Sequence, residues 1–209
     1  MPTLTGLAPD PRQPDYRLVE VDRGRFASLP ADAIGPLELT VGRELEPVML
    51  DRLRALADVE AAQRAALRAL ARRAHARHDL ERRLVRKQHP PAAVDAALER
   101  LAVRGLLDDR RFAERYAALR AVRGRGPARL VRDLLAQGVE RRIAEDAVRR
   151  ALEEEGIDPG LEARAVAVKR ASQLGGLPAP VRKRRLVAFL VRRGYATQQV
   201  KELAQELCG

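Results

Sequence analysis

The chain has no tryptophan, a single cysteine, three histidines and only 3% aromatic residues. One cysteine, Cys208, excludes an intramolecular disulfide framework and suits a reducing, cytoplasmic setting. His75, His78 and His89 together with Cys208 match no standard metal-ligand spacing, so no metal site is expected. So few aromatics leave too little stacking surface for an autonomous single-strand binder. A membrane span needs about eighteen consecutive apolar residues, and neither that nor a basic leader is present in the N-terminal MPTLTGLAPDPRQPDY or elsewhere. A P-loop, a dinucleotide-binding glycine pattern and a nucleophile elbow are missing too, and GRG at 124–126 lacks the lysine and hydroxyl of a phosphate loop. Neither a cofactor nor an enzymatic activity is expected.

Lysine is scarce as well. Only Lys87, Lys169, Lys183 and Lys201 contribute to the 40 basic residues, and arginine supplies the rest. A formal net charge of +11 points to an anionic partner. The charge is unevenly placed: residues 1–60 hold 7 basic and 11 acidic residues, net −4, which leaves net +15 for 61–209. Two explanations of the arginine bias stand open, selection for planar, bidentate phosphate recognition and a GC-rich coding sequence.

What is abundant is alanine, leucine, arginine and glutamate at helical spacing, broken at HPP 89–91, Gly105, GRGP 124–127, Gly138, GIDPG 156–160, GGLPAP 175–180 and Gly194. Ahead of this, prolines at 2, 9, 11 and 14 predict a disordered leader over residues 1–15. YRLVEV (16–21), RFASL (25–29) and LELTVG (37–42) predict two or three short strands, with DRG as a turn, and Pro47 is placed to open a helix.

The breaks are evenly paced because the chain repeats. LERRLVRKQHPPAAVDAALERL from Leu80, LVRDLLAQGVERRIAEDAVRRA from Leu130 and LVAFLVRRGYATQQVKELAQEL from Leu186 align without gaps. Leu84, Leu134 and Leu190 coincide, as do the turn positions Gln88, Gly138 and Gly194. Each segment reads as helix, left-handed turn, helix, and a further helix precedes each, near Ala61, Asp109 and Leu161. The expected fold is mainly α: three tandem three-helix repeats in an elongated array, at 61–105, 106–156 and 157–209, behind a small β-containing extension at 16–60. One compact helical domain is the competing arrangement.

GLLDDRRFAERY at 105–116 joins the first repeat to the second. Its paired carboxylates suggest acid/base chemistry, but adjacent cap residues point in different directions and no histidine or metal-ligand partner is near in sequence. The structural assignment accounts for every position: Asp108 caps the next helix, Asp109 faces the positive end of its dipole, and Leu107 and Phe112 have hydrophobic-staple spacing. Phe112, Tyr116 and Leu119 are expected on one core-facing side, and Phe189 and Tyr195 are likewise assigned to core.

GLLDDRRFAERY, followed by GRGPARLVRDLLAQGV and preceded by RAHARHDLERRLVRKQ, resembles the central signature of the RecX family of regulatory proteins. The resemblance covers roughly residues 61–209 and is specific at 105–138. It implies tandem three-helix repeats that bind RecA filaments on single-stranded DNA, in the filament's helical groove, and limit recombinase, ATPase and coprotease activity. Two positions depart from the pattern: Asp79 stands in for the small hydroxyl that caps the first repeat's second helix, and Gln88 replaces the turn glycine.

Basic clusters recur in each repeat: Arg82, Arg83, Arg86 and Lys87; then Arg123, Arg125, Arg129 and Arg132; then Arg182, Lys183, Arg184, Arg185, Arg192 and Arg193. Arg82 with Arg86 and Arg83 with Lys87 are like-charged i,i+4 pairs, which cost a few tenths of a kcal/mol in an isolated helix unless an anion neutralises them. Neutralisation by Glu81 and Asp133 is the competing reading. The clusters are expected to bind a RecA filament and the phosphates of single-stranded, and also double-stranded, DNA, with the protein a monomer. A helix-turn-helix-like DNA-binding protein acting without a recombinase is the alternative.

Overall fold

Prolines mark where helices start. Pro47, Pro91, Pro127 and Pro159 each occupy the first helical position, of α2 (Pro47–Leu70), α4 (Pro91–Val103), α6 (Pro127–Ala136) and α8 (Pro159–Gln173), where a missing N–H costs nothing. The remaining long helices are α3 (Arg77–Arg86), α5 (Asp109–Ala121), α7 (Arg141–Glu154), α9 (Ala179–Arg193) and α10 (Thr197–Cys208), and a single-turn α1 covers Ala31–Ile34. The structure, a computed structural model, describes residues 1–209. It divides into two units, Met1–Arg73 with Leu80–Leu106, and Ala74–Asp79 with Leu107–Gly209.

The first unit opens with a three-stranded antiparallel sheet in the order β1 (Leu4–Asp10), β2 (Gln13–Val21), β3 (Gly24–Pro30). Residues 1–15 are therefore strand and hairpin, not a disordered leader. Pro9 lies in the edge strand β1, Pro11 in the hairpin turn, and Pro14 at the start of β2 ahead of its pairing with β3 from Tyr16. Asp22 and Arg23 both have positive φ (50° and 63°), the signature of a tight hairpin whose twist matches its strands. LELTVG is not a strand: a 3-10 turn over Gly35–Leu37 leads into a loop whose Glu44 bridges Thr3, while Leu37 and Leu39 pack on the core of Leu4, Val19, Leu29, Leu45 and Leu53. Local β-propensity gave way there to burial of two leucines.

α2 runs without interruption through the boundary expected at residue 60, and Glu60 explains why. This carboxylate is 2% exposed, accepts from the Tyr16 hydroxyl of β2 (3.0 Å) and pairs with Arg100 of α4 (2.8 Å). One helix thus serves both the sheet and the first repeat.

In the three aligned segments the repeated leucines are all core: Leu80, Leu84, Leu130, Leu134, Leu186 and Leu190 are at most 1% exposed. The turn after each second helix is left-handed, with φ of 67° at Gln88, 84° at Gly138 and 88° at Gly194. His89, Val139 and Tyr195 then donate their N–H groups back to the carbonyls of Leu84, Leu134 and Leu190, closing a Schellman-type cap each time.

Within the second unit two of those turns have a second task. A methyl group on Gly138 would collide with the His78 side chain, and one on Gly194 with the backbone of Arg129. His78 and Arg129 lie in the first turns of α3 and α6, so each turn glycine seats the start of the preceding repeat's second helix. Around Gly194 the contact is hydrogen-bonded: Gly126 N–H donates to the Arg193 carbonyl (2.8 Å) and Ala128 N–H to the Gly194 carbonyl (3.2 Å). The Tyr195 hydroxyl and the Arg193 guanidinium both donate to the Gly124 carbonyl, at 3.2 and 3.0 Å. Burial, reinforced by the Glu162 carboxylate, pushes the Tyr195 phenol up to about 12.

The two turn types separate under substitution. Gly194→Ala meets both a collision and left-handed strain and is expected to lower stability by about 2 kcal/mol or more, whereas Gln88→Gly, at an exposed turn, is expected to gain about 1 kcal/mol. Urea unfolding with hydrogen exchange at the two turns measures both.

Alkaline titration tests the tyrosine. Its raised folded-state value means that the neutral phenol is favoured by folding, so the contribution is complete below about pH 10 and is lost as pH climbs toward about 12. Tyr195→Phe should flatten the decline of stability across that window while costing about 1 kcal/mol at neutral pH through the lost hydrogen bond. An unchanged alkaline slope would remove this role.

Candidate anion-binding site

Asp108 and Asp109 act on different helices. Asp108 accepts from Arg111 N–H (3.0 Å) and caps α5. Asp109 accepts from the N–H of Arg77, the first residue of α3 (2.7 Å). Asp109 of the next repeat thus caps the start of α3, and Asp79 bonds to the buried His75 (2.8 Å). Both carboxylates of the DD pair are occupied with backbone. Phe112 is buried with Ala113 and Ala117, but Leu119, expected beside it, is 59% exposed. Tyr116 is half-buried, covered by the Arg120 guanidinium 3.7 Å from its ring centre, with its phenol raised by burial and then by the Asp133 carboxylate.

The three basic clusters differ once their partners are identified. On α3, Arg83, Arg86 and Lys87 form no ion pair, and the Nε of Arg83 is buried without a hydrogen-bond partner. In the second repeat, Asp133 pairs with both Arg125 (2.6 Å) and Arg129 (2.7 Å), so these two are balanced internally. Arg123 and Arg132 remain exposed and unpaired. In the third, Arg182 donates to the Cys208 carbonyl and Lys183 to Gln205, while Arg184, Arg185 and Arg192 are exposed along α9.

Arg193 and Arg123 come together with residues that reading the sequence by arginine clusters overlooked. A cleft of about 560 Å³ is lined by Val122, Arg123 and Gly124 after α5, by Glu162, Ala165, Val166, Lys169, Arg170 and Gln173 on α8, and by Phe189 and Arg193 on α9. Four cations face one carboxylate, Glu162. The Arg170 and Arg193 guanidinium groups lie 5.1 and 5.0 Å from the centre of the Phe189 ring, and ring contact of this kind holds the planar forks in place. Phe189 is consequently half-buried and forms part of the cleft wall as well as packing on the core. The signal for Lys169 and Arg170 was spacing: positions 162, 166, 169, 170 and 173 share one side of a helix, which a search for runs of arginine does not detect. No helix is long and apolar enough to cross a membrane.

Family models for the first, second and third three-helix domains of RecX match residues 62–101, 108–148 and 162–203. The chain is 42% identical over 146 residues to regulatory protein RecX of Halorhodospira halophila, covering 69% of this chain and 87% of that one. Against regulatory protein RecX of Pseudomonas savastanoi pv. phaseolicola it is 37% identical over 144 residues, 68% and 89% of the two chains. Among solved structures, a regulatory protein RecX superimposes with a TM-score of 0.73 at 17% identity, covering 99% of this chain and 100% of that one. RecX from Lactobacillus salivarius gives 0.58 at 20% identity, covering 72% and 96%. These last two likenesses are of fold, and the N-terminal sheet lies outside the three matched domains. From the three domain matches and the curated relatives together, the chain belongs to the RecX family of regulatory proteins.

Proposed function

We propose that this RecX-family regulator binds RecA filaments on single-stranded DNA and inhibits their recombinase, ATPase and coprotease activity by occupying filament surface, with no chemistry of its own. The observation that carries the reading is the set of cations left without internal ion pairs in every repeat outside the cleft: Arg83, Arg86 and Lys87, then Arg132, then Arg184, Arg185 and Arg192. A nucleoprotein coil presents phosphates at regular intervals, and an arginine-rich surface releases counterions on meeting them. Binding is dispersed over many weak contacts and is therefore salt-sensitive. The protein acts as a monomer in the cytoplasm, where its lone, buried Cys208 stays reduced.

Inhibition of single-strand-dependent ATP hydrolysis by RecA is the direct assay. Alanine at any one of Arg184, Arg185 or Arg192 is expected to weaken inhibition about twofold, and the triple variant about eightfold, since exposed side chains that share no partner combine nearly additively in free energy. Full-length protein that leaves hydrolysis and filament length unchanged at low salt would exclude this function.

A further inference from the structure

The cleft between the second and third repeats is not a purely cationic surface. Val122 of its rim is 59% exposed and continues along α5 to Leu119, also 59% exposed. On the opposite rim Ala165 is exposed between Leu161 and Val168, 70% and 48% exposed, on one side of α8. Two apolar stripes therefore run into a cleft whose wall is Phe189 and whose cations are Arg123, Lys169, Arg170 and Arg193. Exposed apolar surface of this kind marks protein contacts, whereas phosphate-reading surfaces are more polar and more strongly positive than protein-binding ones. The guanidinium groups of Arg170 and Arg193 lie near the Phe189 ring and each spends one nitrogen inside the fold, on Gln173 and on the Gly124 carbonyl, so their remaining N–H groups can give charge-assisted hydrogen bonds to a carboxylate.

Resting on the function proposed above, we infer that this cleft takes an acidic segment of the RecA protein itself, one that pairs a carboxylate with an apolar side chain, and that it does not bind DNA. Carboxylates enter toward Arg123, Lys169 and Arg193, and the apolar side chain lies on Val122 and Ala165. The outer row Arg184, Arg185 and Arg192 on α9 is left for phosphates. Charge selects the segment and the apolar stripes select protein over nucleic acid.

The test uses the full chain and two probes, RecA free of DNA and a labelled single-stranded oligonucleotide free of RecA. Arg123→Glu combined with Lys169→Glu changes the net charge by the same amount as Arg184→Glu combined with Arg185→Glu, so long-range electrostatics cancel in the comparison. All four residues are exposed, and circular dichroism confirms folding. The cleft pair is expected to weaken RecA binding about thirtyfold and oligonucleotide binding less than about threefold, with the α9 pair showing the reverse order. Val122→Asp should weaken RecA binding about tenfold with the oligonucleotide affinity kept. Cleft variants that lose oligonucleotide binding while retaining RecA overturn the inference alone. Unaltered protein that neither binds RecA nor slows its ATP hydrolysis overturns the proposed function with it.

Discussion

The second unit depends on one contact: a left-handed turn seated against the first turn of the preceding repeat's second helix. Gly138 against His78 and Gly194 against Arg129 are the same contact made twice, separated by a whole repeat. No side chain fits between the backbones at Gly194, so the turn residue carries two requirements at once, positive φ and zero volume. At Gln88 only the first applies: the turn is left-handed but exposed, and a glutamine occupies it at a local backbone cost. The departure from the family pattern at that position therefore follows from what the turn packs against.

The same junction shapes the cleft. Gly124, whose carbonyl receives Tyr195 and Arg193, is also one of the cleft's lining residues, and Arg193 both donates to it and lies near the Phe189 ring. The geometry that locks the third repeat to the second is thus what holds a guanidinium at the cleft wall. Alkaline loss of the Tyr195 hydrogen bond would loosen this support as well as the fold, which ties the junction's stability to the placement of Arg193.

Much of this was legible in the sequence because it follows from periodicity. Six leucines, three turns and the helix, turn, helix order need only a repeat of apolar positions and left-handed caps, and the Asp108 cap is local. What was hidden required contacts distant in sequence. Asp109 reads as an ordinary first-turn carboxylate until its acceptor role for Arg77, 32 residues earlier, is known. Prolines at 9 and 11 read as disorder because propensity does not register that an edge strand and a hairpin tolerate them. LELTVG reads as a strand because its leucines are spaced for one, although they serve a loop that folds onto the core. Leu119 was placed inside by its spacing from Phe112 and Tyr116, but the α5 surface it occupies is exposed.

One register position shows how repeats with a common scaffold acquire different surfaces. Counting three residues from the first repeated leucine of each aligned segment gives Arg83, Asp133 and Phe189. In the first repeat the position adds a cation whose Nε is buried without a partner, next to the unpaired Arg86 and Lys87. In the second it supplies the carboxylate that neutralises Arg125 and Arg129 and takes a hydrogen bond from Tyr116. In the third it places an aromatic ring beside two guanidinium groups, converting a basic face into a mixed cationic and apolar one. Burial of the flanking leucines is the same in all three, so the change costs the core nothing. Net charge separates the second repeat (+2) from the first (+7) and the third (+6); this position contributes to that difference and makes one repeat an open cationic face, one a balanced face and one a cleft wall.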